Sequence, residues 1–159
     1  MIKVTLITLG KLKEKYLVNA VDEYKKRLSR YCDLKIVELE PERLPEKPSD
    51  SEISAALEKE AEAVLKNIPS NCFAVSLCVE GKQLSSPQFA QKIKQQVNEG
   101  KSLAFIIGSS YGLSERVKAA SQLRLSVSEM TFPHQLFRVM LLEQIYRSFK
   151  INEGSAYHK

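Results

Sequence analysis

Phe105-Ile106-Ile107 runs without a break into Gly108-Ser109-Ser110-Tyr111-Gly112, and Leu123 to Val127 runs into Ser128-Glu129-Met130-Thr131-Phe132-Pro133-His134-Gln135. Each stretch reads as a strand that ends in a loop of small side chains, backbone donors and a few polar groups. A helix opening at Ser114-Glu115 joins the first loop to the second strand, and Pro133 suits the first position of a long helix after the second loop. Strands joined through helices predict parallel pairing, and in open α/β sheets ligands sit beyond the carboxyl ends of the strands, where such loops converge. The candidate site is placed on these two loops.

Upstream the alternation continues. Ile2 to Leu9 is a strand ended by Gly10. From Lys11 the apolar spacing turns helical: Leu12, Tyr16, Ala20, Tyr24 and Leu28 recur every four residues, and Leu17 and Val21 widen the stripe. Leu34 to Leu39 alternates as a second strand. Pro41, Pro45 and Pro48 make Glu40 to Ser49 a loop, because proline removes backbone donors and disfavours helix before it. Ser49 with Glu52 fits a capping box, opening a helix whose apolar face is Ile53, Leu57, Ala61, Val64, Leu65 and Ile68. Phe73 to Val79 is nearly all apolar, as a strand covered on both faces should be. Ser86-Pro87 reads as an N-cap and first helical residue, followed by Phe89, Ile93 and Val97 and a stop at Gly100. On the last helix the expected buried face is Leu136, Val139, Met140 and Ile145. The order β-α-β-loop-α-β-α-β-α-β-α predicts one α/β domain, a mostly parallel sheet with helices on both faces.

A chain of 159 residues suits one domain with a proper core. Its 43% hydrophobic and 27% charged residues are those of a soluble globular protein. No apolar run approaches the roughly 20 residues that span a bilayer, and Met1 to Leu6 is a strand pattern without the features of a signal peptide. No membrane association is expected, and a cytoplasmic location is. Cys32, Cys72 and Cys78 have no metal-ligand spacing and an odd count, which reads as buried free thiols. The net charge of +5 is unevenly spread. Residues 1–30 hold eight basic and three acidic side chains, residues 101–159 eight and four, and residues 31–100 eight and twelve. If the two ends meet they form a basic face that attracts phosphates; two separately solvated helix faces are the plain alternative.

Several chemistries drop out. There is no G-x-x-x-x-G-K-[ST], no G-x-G-x-x-G after the first strand and no G-x-S-x-G, which removes the P-loop, the dinucleotide fingerprint and the hydrolase elbow. His134 and His158 are the two histidines, and without a Cys/His cluster no metal site is expected. What remains is the Gly108–Gly112 loop, where glycine lets a ligand approach the backbone, and the stretch Ser128 to Arg138. Arg138 lies one helical turn after His134, so both can face one cleft. A solvated His134 and an Arg138 paired on the surface with Glu129 or Glu143 are the structural alternatives. Glu143 with Arg147 reads as an ordinary i,i+4 surface pair. The tail Tyr157-His158-Lys159 offers an aromatic ring, an imidazole and an ammonium, a set suited to stacking on a base and holding phosphate, although chain ends commonly fray.

Together, Gly108-x-x-x-Gly112-Leu113 after a strand, Met130 to Gln135, Arg138, Glu143-Gln144-Ile145-Tyr146-Arg147 and the terminal Tyr157-His158-Lys159 resemble the RlmH family. These are ribosomal RNA large-subunit methyltransferases of the SPOUT class. The resemblance extends over the whole chain, including Gly10-Lys11-Leu12-Lys13-Glu14 and the Glu80-Gly81-Lys82 turn. It implies S-adenosylmethionine as methyl donor, a homodimer, a C-terminal trefoil knot within about residues 72–159, and N3 of a pseudouridine in 23S rRNA of the assembled ribosome as target. The donor-binding residues it implies are Leu77, Gly108, Val127, Ser128, Glu129, Met130, Thr131 and Phe132. Ser109 departs from the second glycine usual in relatives. A positive φ there would strain serine by roughly 1–2 kcal/mol.

For the reaction so implied, Arg138 is the candidate for stabilising the developing oxygen charge or a phosphate. His134 or His158 is the candidate proton acceptor, and Tyr157 the residue that positions the base. The basic stretch Lys11 to Arg30 is the expected rRNA contact. Two other classes use the same residues: a non-catalytic ribosome-associated RNA-binding factor, and an enzyme for a different adenine-containing ligand.

Overall fold

The computed structural model describes residues 1–158, the side chain of His158 excepted. Five strands form one parallel sheet: β1 (Ile2–Leu9), β2 (Cys32–Leu39), β3 (Cys72–Gln83), β4 (Ser102–Ile107) and β5 (Leu123–Ser126), in the order β2-β1-β4-β3-β5. The helices are α1 (Lys15–Leu28), α2 (Asp50–Asn67), α3 (Ser86–Asn98), α4 (Glu115–Ala119) and α5 (His134–Asn152), followed by a short 3-10 turn at Ala156–His158. Element order and sheet sense are those expected from the alternation. Among the described residues no helix is long and apolar enough to cross a membrane.

Alternate residues of the central strands feed two cores, as the pleat requires. Val4, Leu6, Leu103 and Phe105 pack against α1, α3 and α5, while Ile7, Leu9 and Ile106 pack against α2 and α4. Burial of this kind contributes about 1.5–3 kcal/mol for each large apolar side chain. Two helix starts carry reciprocal side-chain bonds: Ser49 with Glu52, as expected, and Ser85 with Gln88. The second moves the predicted cap back from Ser86 by one residue and leaves Pro87 inside the first turn.

Two predicted helix faces are corrected. On α1 the buried residues are Leu17, Val21 and Leu28, whereas Tyr16 is 68% exposed. On α5 they are Arg138, Leu141, Leu142, Ile145 and Ser148, with Leu136 exposed and Val139 and Met140 only half-buried. α5 is apolar on nearly every side, so its spacing alone cannot orient it. α1 does pack on α5, where the Tyr31 and Phe149 rings stack with centroids 5.5 Å apart. The two ends of the chain therefore meet, and the exposed charge there is N-terminal. Lys11, Lys13, Lys15, Lys25, Lys26, Arg27 and Arg30 are all exposed, whereas Arg138, Arg147 and Lys150 of α5 are each paired with a glutamate.

Candidate active site

The neighbours β4, β3 and β5 run parallel, so their carboxyl ends and the loops beyond them lie side by side. β3 does something no periodicity reveals. Leu77 and Lys82 both pair with Leu125, so residues 78–81 leave the sheet and return to it. Gly81 permits the return: a Cβ there would sit 2.7 Å from the Leu125 carbonyl carbon and 2.8 Å from that of Arg124. The β4 loop turns as tightly. The Gly112 N–H donates to the Ser109 carbonyl at 2.9 Å, and a Cβ on Gly108 would meet the Gly112 oxygen at 2.3 Å. Ser109 is not strained, since Asn71 is the one non-glycine residue at positive φ among the described residues. In the β5 loop, Ser126 Oγ donates to the Ser128 carbonyl and Ser128 Oγ accepts from the Met130 N–H, each at 3.0 Å.

Between these loops lies a cleft of about 690 Å³, within the size range of small-molecule sites. Leu77, Ile107 and Leu113 give it an apolar base. Of the residues implied as donor-binding, Leu77, Gly108, Val127, Ser128, Met130, Thr131 and Phe132 line it; Glu129 is exposed and does not. Lys118 and Glu80, missed by the sequence reading, pair at the wall, and the Lys118 hydrogen bond holds the Glu80 carboxyl below its ordinary value. Neither has a local signal, because their partnership joins α4 to the β3 excursion.

His134, the first residue of α5, lines the cleft half-buried. Burial lowers its pKa, and the nearby charges of Arg138 and Lys13 lower it further. The imidazole is thus neutral near pH 7 and able to accept a proton.

Arg138 is 3% exposed and lies off the cleft wall. One terminal nitrogen donates to Glu38 Oε2 at 2.7 Å and the other to the Gly10 carbonyl at 3.0 Å. Its partner is therefore β2, not the Glu129 or Glu143 expected for a surface pair. The guanidinium fastens the first turn of α5 to the ends of β1 and β2.

Tyr157 follows α5 and folds back along its second half, so that its hydroxyl reaches Glu143, about 14 Å along the axis from His134. It is packed rather than frayed. Its ring meets Tyr146 edge-on at 5.2 Å, the Arg147 guanidinium lies 4.8 Å from its centroid, and its hydroxyl donates to Glu143 Oε2 at 3.1 Å. Glu143 also accepts from Tyr24 at 2.5 Å and from Arg147 at 2.8 Å. The supposed surface pair Glu143–Arg147 is a hub that binds α1, α5 and the tail. The His158 side chain lies outside the described residues. Within one chain His134 and Tyr157 are not brought together.

The fold is an α/β domain of the open-sheet type with a cleft at the carboxyl edge of its sheet, the place where ligands sit in that class. Residues 2–158 match the family described as "Predicted SPOUT methyltransferase", and the chain belongs to that family. It is 52% identical, over 98% of its own length and 99% of the relative's, to the "Ribosomal RNA large subunit methyltransferase H" of Clostridium acetobutylicum. The protein of the same name in Clostridium beijerinckii is 51% identical over the same shares. A Methanococcus vannielii protein is 52% identical, again over 98% of this chain and 99% of its own.

Proposed function

We propose that this chain transfers a methyl group from S-adenosylmethionine to N3 of a pseudouridine in 23S rRNA, acting on the assembled ribosome as a cytoplasmic homodimer. The observation that carries the reading is the cleft itself. In a chain about half identical to named large-subunit rRNA methyltransferases, seven of the eight residues implied as donor-binding line one cavity. The donor fits that cavity by chemistry. The apolar base at Leu77, Ile107 and Leu113 suits an adenine ring, and the exposed loop residues Val127, Met130 and Thr131 line the rim where polar edges would lie. Bound there, S-adenosylmethionine supplies an electrophilic methyl group.

The chain's own residues do the rest. N3 carries an imide proton that must leave as the methyl arrives, and the neutral His134 accepts it. His158 is the second candidate acceptor. Arg138 acts by position, because Glu38 and Gly10 occupy its terminal nitrogens while it fixes the turn that bears His134. Tyr157 positions the base from a second copy of the chain, because in its own chain Glu143, Tyr146 and Arg147 hold it against α5. Exposed Met130 and Leu136 beside that cleft give the second copy an apolar surface to cover. Holding the two reactants in line can supply several kcal/mol of the acceleration. The exposed basic side chains from Lys11 to Arg30 contact rRNA phosphates. The proposal includes the knotted C-terminal segment that the family resemblance implies.

The test is transfer of labelled methyl from S-adenosylmethionine to ribosomes lacking the modification, with free rRNA alongside. Incorporation into ribosomes and not into free RNA is expected, and His134→Ala lowers it. Ribosome binding without any transfer moves the reading to a non-catalytic ribosome-associated factor. Sedimentation at the mass of one chain removes the shared site.

A further inference from the structure

One carboxylate is buried without a cation. Glu60, on α2, is 5% exposed, and among the described residues no lysine, arginine or histidine pairs with it. Burying an ionised carboxylate is unfavourable unless its oxygens find donors. Two are present, from two different segments. Glu60 Oε1 accepts from the Ser109 hydroxyl at 3.2 Å, and Oε2 accepts from the Glu42 N–H at 2.9 Å. Glu42 belongs to the proline-bearing loop between β2 and α2, and Ser109 to the tight turn after β4. A smaller cleft of about 200 Å³, lined by Leu44, Ile53, Leu57 and Glu60, lies behind that turn and shares Ser109, Ser110 and Tyr111 with the main one. Residues 109–111 are thus a thin wall between two cavities, facing the main cleft on one side and held by Glu60 on the other.

We propose that Glu60 is a positioning residue for the methyl donor, fixing the Ser109–Tyr111 wall of the donor cleft through the Ser109 hydroxyl and bracing it against the Glu42 loop. The inference rests on the donor reading given above. A wall this thin has few supports: the Gly112 N–H closes the turn on itself, and the Glu60–Ser109 hydrogen bond ties it to α2. Burial pushes the Glu60 carboxyl up while the hydrogen bonds from Glu42 and Ser109 pull it back, and in its ionised form it holds the hydroxyl more strongly than a neutral acceptor would. The Ser109 side chain gives the turn an anchor at a point where glycine would rely on backbone alone.

Calorimetric titration with S-adenosylhomocysteine tests it, on the full-length protein and on Glu60→Ala, Ser109→Ala, the double variant and Glu60→Gln. Glu60→Ala and Ser109→Ala should each weaken binding about tenfold, the factor carried by one charge-assisted hydrogen bond. The double variant should be no weaker than the worse single one, the signature of a shared interaction. Glu60→Gln, which keeps an acceptor and the side-chain volume, should restore affinity to within about threefold. In turnover, KM for S-adenosylmethionine should rise and KM for ribosomes stay unchanged. If Glu60→Ala does not fold, Ser109→Ala decides alone: about tenfold weaker binding with an unchanged ribosome KM supports the assignment, and unchanged affinity overturns it. Unchanged affinity, fully additive losses, or a rise in the ribosome KM would overturn the assignment. Failure of the unsubstituted protein to bind S-adenosylhomocysteine would instead overturn the donor reading beneath it.

Discussion

The two ends of α5 are built on opposite principles. At its first turn, the cleft takes its shape from backbone: Gly81 and Gly108 let main chain pass where a Cβ would collide, and the β5 loop is pinned by the short hydroxyls of Ser126 and Ser128. At its last turns, shape comes from side chains. The Tyr146 ring packs edge-on against Tyr24, Tyr31 and Tyr157, and Glu143 gathers Tyr24, Tyr157 and Arg147. The open end should therefore be intolerant of added atoms and indifferent to polar groups lost from the packed end. The packed end should show the reverse.

Gly108→Ala attacks the open end hardest. Its new Cβ meets backbone rather than a yielding side chain, so S-adenosylhomocysteine affinity should fall a hundredfold or more, about 3 kcal/mol, by calorimetry. Arg138→Met comes next. It breaks a pair buried on one side, with Glu38 still about a third exposed, and should lower stability by about 2–3 kcal/mol, toward the bottom of the range for buried pairs. A melting point lower by about 5–10 °C would report it. Glu143→Gln loosens the packed end. Methyl transfer to ribosomes should drop about tenfold, hydrogen exchange should quicken at residues 153–157, and donor affinity should stay put. A parallel loss of donor affinity would show that the ends are coupled and sink the contrast.

The smallest effect is a pH limb. Because His134 titrates below the ordinary histidine value of 6.5 in the folded protein, its neutral form is the one favoured. Turnover should stay within about twofold between pH 7.5 and 6.5 and fall only at lower pH. The same sign makes the fold lose stability as pH drops through 6.5, where the unfolded chain takes the proton first. An acid limb that starts above 6.5 would exclude His134 as the acceptor.

The strands β1, β3 and β4 were legible because each holds a buried apolar run, β2 because it alternates, and α2 because Ser49 and Glu52 cap it with a local pattern. The loops of the cleft were legible for the same reason: strand followed by Gly108, or by Ser128, is a short-range signal. Long-range partnerships were not. Arg138 reaches Glu38 across 100 residues and Glu143 reaches Tyr24 across 119, and nothing in either neighbourhood announces it. Glu60 did leave a trace. Residues 53, 57, 60 and 64 follow the four-three-four spacing of a buried helical stripe, and a glutamate standing third in that series signals a polar group with a buried partner. Arg138 likewise stands on the 138, 141, 145, 148 series of α5. A charge on an apolar stripe is a better pointer than a charge beside one.

The excursion of β3 has a consequence for how such a protein can change. Leu77 and Lys82 are both tied to Leu125, so residues 78–81 form a closed side-branch whose two feet stand on one residue of β5. Residues inserted into that branch, or exchanged at Cys78, Val79 and Glu80, alter one wall of the cleft without shifting the register on either flank. Ligand preference can therefore drift there while the sheet beneath keeps its pairing, much as a jaw plate can be swapped on a vice whose screw is untouched.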